Sequence, residues 1–267
     1  MSHLLAALLG FVEGLTEYLP ISSTGHLILV SYFVGSQDEG SKSFDIVIQF
    51  GAILAVVLHY RALLFERARG LLFAQREAID LALGLVIAFV PAGVAGFLLG
   101  KVIKQHLFGP VPVAAALAVG GILMIATERT RAVRHVEGLE GLEHVTPWRA
   151  LIIGLGQCFA LWPGASRSMC TIVAGQLAGL STSTAAEFSF LLALPTLGAA
   201  TLYELYKARG ELLTSVGGSQ LAVGLVVSFV VAWAVIAAFL LYLRRRGLEV
   251  FGYYRIIVAA LVLWIVR

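Results

Sequence analysis

Six stretches of this chain, at about 44–60, 79–99, 111–127, 186–205, 219–243 and 251–266, are almost wholly apolar. Each approaches the length of a bilayer crossing, because a helix rises about 1.5 Å per residue and the hydrocarbon core is about 30 Å thick. Only helices and closed barrels satisfy their own backbone polar groups in lipid, so these runs predict a helical membrane bundle. Composition agrees. Of 267 residues, 59% are hydrophobic and 13% charged, with a mean hydropathy of +0.91. Soluble domains run at about 45–50% apolar and about 25% charged. So few charges could not cover a soluble surface. No Lys or Arg precedes the first apolar run and Glu13 interrupts it early, so a cleaved signal peptide is not expected.

Two further apolar regions, about 3–35 and 148–181, are broken by Pro20 and Pro163. Proline removes a backbone donor and disfavours helix in the residue before it, leaving halves too short to cross comfortably. Each region reads as a re-entrant helix–turn–helix hairpin; a pair of kinked, tilted spans is the alternative. The two breaks align in one register, Pro20 with Pro163 and Ser23 with Ser166. The expected architecture is an all-α polytopic membrane protein, a single domain over 1–267. Six transmembrane helices and two re-entrant hairpins would form an inverted-topology repeat, with repeat one at about 1–127 and repeat two at about 148–267.

Loop charges orient this arrangement. Arg61, Arg67, Arg69, Arg76, Arg129, Arg131, Arg134, Arg149, Arg244, Arg245 and Arg246 fall on one side. Lys42, Lys101, Lys104, Lys207, Arg209 and Arg267 fall on the other. The richer side is cytoplasmic by the positive-inside rule, which puts both termini outside. The loop arginines need no nucleic acid to explain them, since topology and anionic headgroups suffice.

Polar groups inside such hairpins are costly, at about 2.5–3.5 kcal/mol per charge on insertion scales, and are functional by default. Glu13 and Glu17 sit one helical turn apart. Two adjacent carboxylates in low dielectric either share a proton or hold a cation, most simply Mg²⁺ or Ca²⁺. Beyond Pro20, Ser22, Ser23 and Thr24 mark a new helix start, a ready anion site, although serines there also serve as plain caps. His26, three residues past Ser23, could act as its base or contact phosphate. In the second hairpin, Ser166, Arg167, Ser168 and Thr171 combine a guanidinium fork with hydroxyls, suited to phosphate. Arg167 could equally pair with Glu13, Glu17 or Glu187. Gln49 and Glu187 are candidates to support the inner residues from neighbouring spans, and Arg255 reads as a structural partner of Glu187 or a snorkelling end residue. Carboxylates, a nucleophile near a base, backbone donors and an arginine together point to phosphoryl transfer on a lipid-borne phosphate.

The segments EGLTEYLPISSTGH (13–26) and WPGASRSMCT (162–171) closely resemble the signatures of the undecaprenyl-diphosphate phosphatase family of the BacA/UppP type. The likeness extends to FDIVIQFGAILAVV and AAEFSFLLALPT and runs essentially end to end. The resemblance implies an inner-membrane enzyme that removes the terminal phosphate of undecaprenyl diphosphate. Such an enzyme recycles the carrier for peptidoglycan synthesis and, overproduced, confers bacitracin resistance. It also implies a divalent metal, a site opening to the outer face, and functional residues at Glu13, Glu17, Ser23, His26, Ser166, Arg167, Ser168 and Thr171. The attacking group stays open among Ser23, His26 and an activated water. Expected partners are the polyprenyl diphosphate and membrane lipids, with a homodimer compatible with the sequence. A secondary transporter or lipid-carrier flippase on the same repeat is the alternative. A type 2 phosphatidic acid phosphatase, suggested by SSTGH and SRS, would need a histidine downstream of Arg167, and none follows.

Overall fold

The computed structural model describes residues 1–34, 39–133, 138–208 and 217–266. Of the charges counted above, Arg134, Arg209 and Arg267 lie outside these residues, as do the side chains of Lys42, Lys104 and Lys207. Eleven α-helices account for most of the described chain. Four are long and apolar enough to cross a membrane by themselves. They are α5 (Arg76–His106), α6 (Pro110–Val133), α9 (Thr182–Ala208) and α10 (Gly218–Leu243). The chain is a multi-pass membrane protein.

The other two predicted spans take different forms. The apolar part of α3 (Glu39–His59) ends at Tyr60, where the chain bends by 76° into α4 (Arg61–Leu72). The stretch holding the loop charges Arg61, Arg67 and Arg69 is thus helical rather than an open connection. It forms a second helix that carries both charged and apolar residues at its surface, with Phe65 and Leu72 exposed and Arg67 paired to Glu77 at 2.5 Å. The last helix, α11 (Glu249–Ile265), has 17 residues, at the lower limit for a crossing.

Both proline-broken regions are pairs of short helices. The first pair is α1 (His3–Thr16) and α2 (Ser23–Val34); the second is α7 (Pro147–Cys158) and α8 (Arg167–Leu177), with a 3₁₀ turn at Phe159–Leu161. At 11 to 14 residues each, they span only about 16–21 Å. Ser2 caps α1 and Thr146 caps α7, each accepting a backbone N–H from inside its helix.

Partners are exchanged across the molecule. Helix α1 packs on α10, α7 packs on α5, α3 meets α9, and α6 meets α11. Small residues let these backbones approach, as is usual where lipid removes the hydrophobic drive between helices. A Cβ added at Gly10 would fall 2.5 Å from the carbonyl oxygen of Gly224, and one at Gly121 would fall 2.6 Å from that of Gly252. Tyr18 lies at the centre, fully buried, its hydroxyl donating to the Ala52 carbonyl at 2.8 Å and its ring edge-on to Phe190.

Candidate active site

The two proline turns are built alike. Ser22 has φ 75° and Ser166 has φ 72°, a region that favours glycine and costs other residues about 1–3 kcal/mol. Each serine carbonyl accepts the N–H four residues on, from His26 and Cys170 respectively. Each side-chain oxygen accepts the N–H three residues on, from Gly25 and Met169, at 3.2 Å in both cases. Ser22 is therefore the counterpart of Ser166, and Ser23 falls opposite Arg167. The linear register that matched Ser23 with Ser166 is corrected by one residue. Gly164 and Ala165 separate Pro163 from its cap, whereas Ile21 alone separates Pro20 from its own.

Glu17 joins the turns. Its Oε2 accepts from the Ser23 hydroxyl at 2.5 Å, and its Oε1 faces Arg167 Nη2 at 3.3 Å. Glu17 is buried and Arg167 largely so. Of the carboxylates that sequence reading offered to Arg167, the fold selects Glu17. Arg167 is braced from α9, donating through Nη1 to the Ser189 carbonyl at 2.8 Å and to its hydroxyl at 3.2 Å. Thr171 bonds that same hydroxyl at 2.7 Å. Ser168 donates to the Leu19 carbonyl at 2.9 Å, tying turn two to turn one, and its oxygen lies 3.0 Å from Ser166 Oγ. Thr24 sits half-buried in the first turn of α2.

Glu13 is fully buried one turn from Glu17, and among the described residues no hydrogen bond within ordinary geometry reaches either of its carboxylate oxygens. Asp45 on α3 has a buried Oδ1 with no hydrogen-bond partner among the described residues. Among the described residues no three His, Cys, Asp or Glu side chains gather closely enough to hold a metal by themselves.

His26 is engaged elsewhere than expected. Its Nδ1 lies 2.7 Å from the Ser22 carbonyl and its Nε2 lies 2.8 Å from the Tyr254 hydroxyl, with the two rings stacked. A carbonyl only accepts, so Nδ1 carries the proton and Nε2 receives the phenol. The hydroxyl of Ser23 thus bonds Glu17 rather than His26. Gln49 is half-buried on α3. Glu187 feels the positive charge of Arg244, and Arg255 bonds backbone carbonyls instead of pairing with Glu187. Sequence reading passed over Ser189, Tyr254 and Asp45. Each is a polar side chain within an apolar span, the one signal that could have singled it out.

A multi-pass membrane protein with a polar cluster sealed between two serine-capped turns is the class these features define. A family model described as bacitracin resistance protein BacA matches residues 6–261, and the chain belongs to that family. It is 59% identical over 261 residues to the undecaprenyl-diphosphatase of Sorangium cellulosum, covering 97% of this chain and 85% of the relative. It is 48% identical over 259 residues to undecaprenyl-diphosphatase 2 of Rhodospirillum rubrum, covering 97% and 93%. With the undecaprenyl-diphosphatase of Thermoanaerobacter pseudethanolicus the identity is 45% over 261 residues, covering 98% and 96%.

Proposed function

We propose that this protein is an undecaprenyl-diphosphate phosphatase, releasing inorganic phosphate and returning the monophosphate carrier to peptidoglycan synthesis. The observation that carries this reading is Glu17 bonded at once to Ser23 and Arg167, between the starts of α2 and α8. The terminal phosphate sits where both helix starts offer free N–H groups, with Arg167 opposite its oxygens. Ser23 Oγ attacks the terminal phosphorus while Glu17 accepts the hydroxyl proton. The bond from that phosphorus to the bridging oxygen breaks, and undecaprenyl phosphate leaves. Water then cleaves the serine phosphoester, giving inorganic phosphate and regenerating the hydroxyl. His26, its Nδ1–H held by the Ser22 carbonyl, donates to phosphate oxygens from the α2 side once Tyr254 releases Nε2 and that nitrogen takes a proton from water. Ser22, Thr24, Ser166, Ser168 and Thr171 shape the cradle and fix its turns.

The donor set fits a divalent metal. Magnesium commonly takes one or two carboxylates and completes its shell with substrate phosphate and water. The open oxygens of Glu13 meet that requirement, and Glu17 lies one turn away. Mg²⁺ or Ca²⁺ held there would neutralise charge on the diphosphate.

The same reading places α3 and α11 with the four long helices as six spans, and α1–α2 and α7–α8 as re-entrant hairpins of an inverted repeat. Its support is the exchange of partners: α1 on α10 is matched by α7 on α5, while α3–α9 and α6–α11 pair across the pseudo-axis. Both termini then lie outside and the site opens to the outer face. The transporter reading is not favoured, since transport makes no use of a hydroxyl bonded to a carboxylate beside an arginine.

The test is phosphate release from undecaprenyl diphosphate by the purified protein in detergent, with and without EDTA. Release that stops in EDTA and in Arg167→Ala is the expected result. A well-folded protein inactive with Mg²⁺, Ca²⁺ and Mn²⁺ would overturn the proposal.

A further inference from the structure

Arg255 on α11 is the largest fully buried side chain among the described residues. An isolated guanidinium in such a place is expensive, and a carboxylate would be the ordinary answer. Here every acceptor is a backbone carbonyl. Nη1 donates to Pro20 at 3.0 Å, and Nη2 to Gly164 at 2.9 Å and to Ala165 and Ala116 at 3.1 Å. Nε donates to Leu117 at 3.2 Å. Pro20 belongs to the first turn and Gly164 and Ala165 to the second, while Ala116 and Leu117 lie on α6. Non-helical backbone at membrane depth must find partners within the protein, and one side chain supplies them to both turns.

The seat is prepared for it. A Cβ at Gly120 would fall on Arg255 Nη2 and lie 2.8 Å from its Cζ, so glycine there leaves the volume the guanidinium occupies. The three bonded carbonyls of the turns lie within two residues of Ser22 and Ser166, the caps that start α2 and α8. The neighbouring residue on α11, Tyr254, meets His26.

We propose that Arg255 is a positioning residue: it staples the two proline turns to each other and to α6, and so sets the spacing between Ser23 and Arg167. This rests on reading the turns as the catalytic site. Lysine keeps the charge but has no planar fork to reach three segments at once.

The experiment compares wild type, Arg255→Lys and Gly120→Ala by hydrogen exchange with mass spectrometry and by steady-state phosphate release. Both variants are expected to exchange faster, by about fivefold or more, in the segments 18–24 and 162–168 together. Their kcat should fall by about tenfold or more with KM changed less than about threefold, since misplacing reacting groups costs rate rather than binding. Unchanged exchange at either turn, or wild-type kcat, overturns the proposal. So does a rise in KM alone, which would make Arg255 a direct ligand of the phosphate. Should Arg255→Lys fail to fold, Gly120→Ala decides the matter with the arginine still present. Failure of wild type to release phosphate would sink the phosphatase reading, while the exchange data would still judge the staple.

Discussion

The Ser23 hydroxyl donates a hydrogen bond to Glu17 at 2.5 Å, and the other oxygen of that carboxylate lies 3.3 Å from Arg167, 150 residues away in the chain. One side chain at the end of α1 thus touches the first residue of both inner helices. A carboxylate held between a hydroxyl and a guanidinium is placed to take a proton as the hydroxyl attacks phosphorus.

Glu17→Gln keeps the shape and removes the proton acceptor. It should lower kcat by about 10²- to 10⁴-fold. Groups that act as a unit are non-additive, so Ser23→Ala combined with Glu17→Gln should be scarcely worse than either alone. Kinetics of the two single variants and the double variant check this; multiplicative losses would show that the residues act separately.

Arg167→Lys retains charge without the fork that spans Glu17 and Ser189. A loss of about tenfold or more in kcat/KM is expected. Arg167→Ala further strands a buried carboxylate, a change that costs about 3–5 kcal/mol. Its unfolding midpoint in detergent should drop well below that of the lysine variant. Equal midpoints would argue against the ion pair.

Tyr254→Phe deletes the hydroxyl that occupies His26 Nε2. The lost hydrogen bond is worth about 1 kcal/mol, so stability should change little and kcat by no more than several-fold. His26→Ala should cost about 10²-fold or more. Equal damage from both substitutions would mean that the phenol, not the imidazole, meets the substrate.

Gly14→Leu tests the seam between α1 and α10. A Cβ there would lie 2.5 Å from the Ser228 carbonyl oxygen, backbone that cannot give way cheaply. Overpacking typically costs about 1–3 kcal/mol, and Glu13 beside it would be carried out of place. Thermal unfolding and phosphate release should fall together; a stable but inactive protein would point to the site alone.

Glu13→Gln probes the metal proposal. Removing one anionic oxygen should raise the Mg²⁺ concentration for half-maximal phosphate release by about tenfold or more. A metal titration that superimposes on wild type would place the cation elsewhere.

Much of this protein was legible without coordinates. Four apolar runs became α5, α6, α9 and α10, because hydropathy is a sum over neighbouring residues and needs no knowledge of the rest of the chain. Pro20 and Pro163 marked the breaks between short helices for an equally local reason, a missing donor and a steric clash. The polar residues stood out by type alone, since lipid penalises each of them individually. Their partners did not. Only tertiary structure assigned Ser23 to Glu17, His26 to Tyr254, Arg167 to Ser189, and Arg255 to the carbonyls of two distant turns. It also folded the charged stretch after Tyr60 into α4 and shifted the match between the turns by one residue. A hydrogen bond depends on distances of a few tenths of an ångström between segments far apart in sequence. Those distances are set by which glycine faces which backbone when the helices pack, and no local sum contains that information.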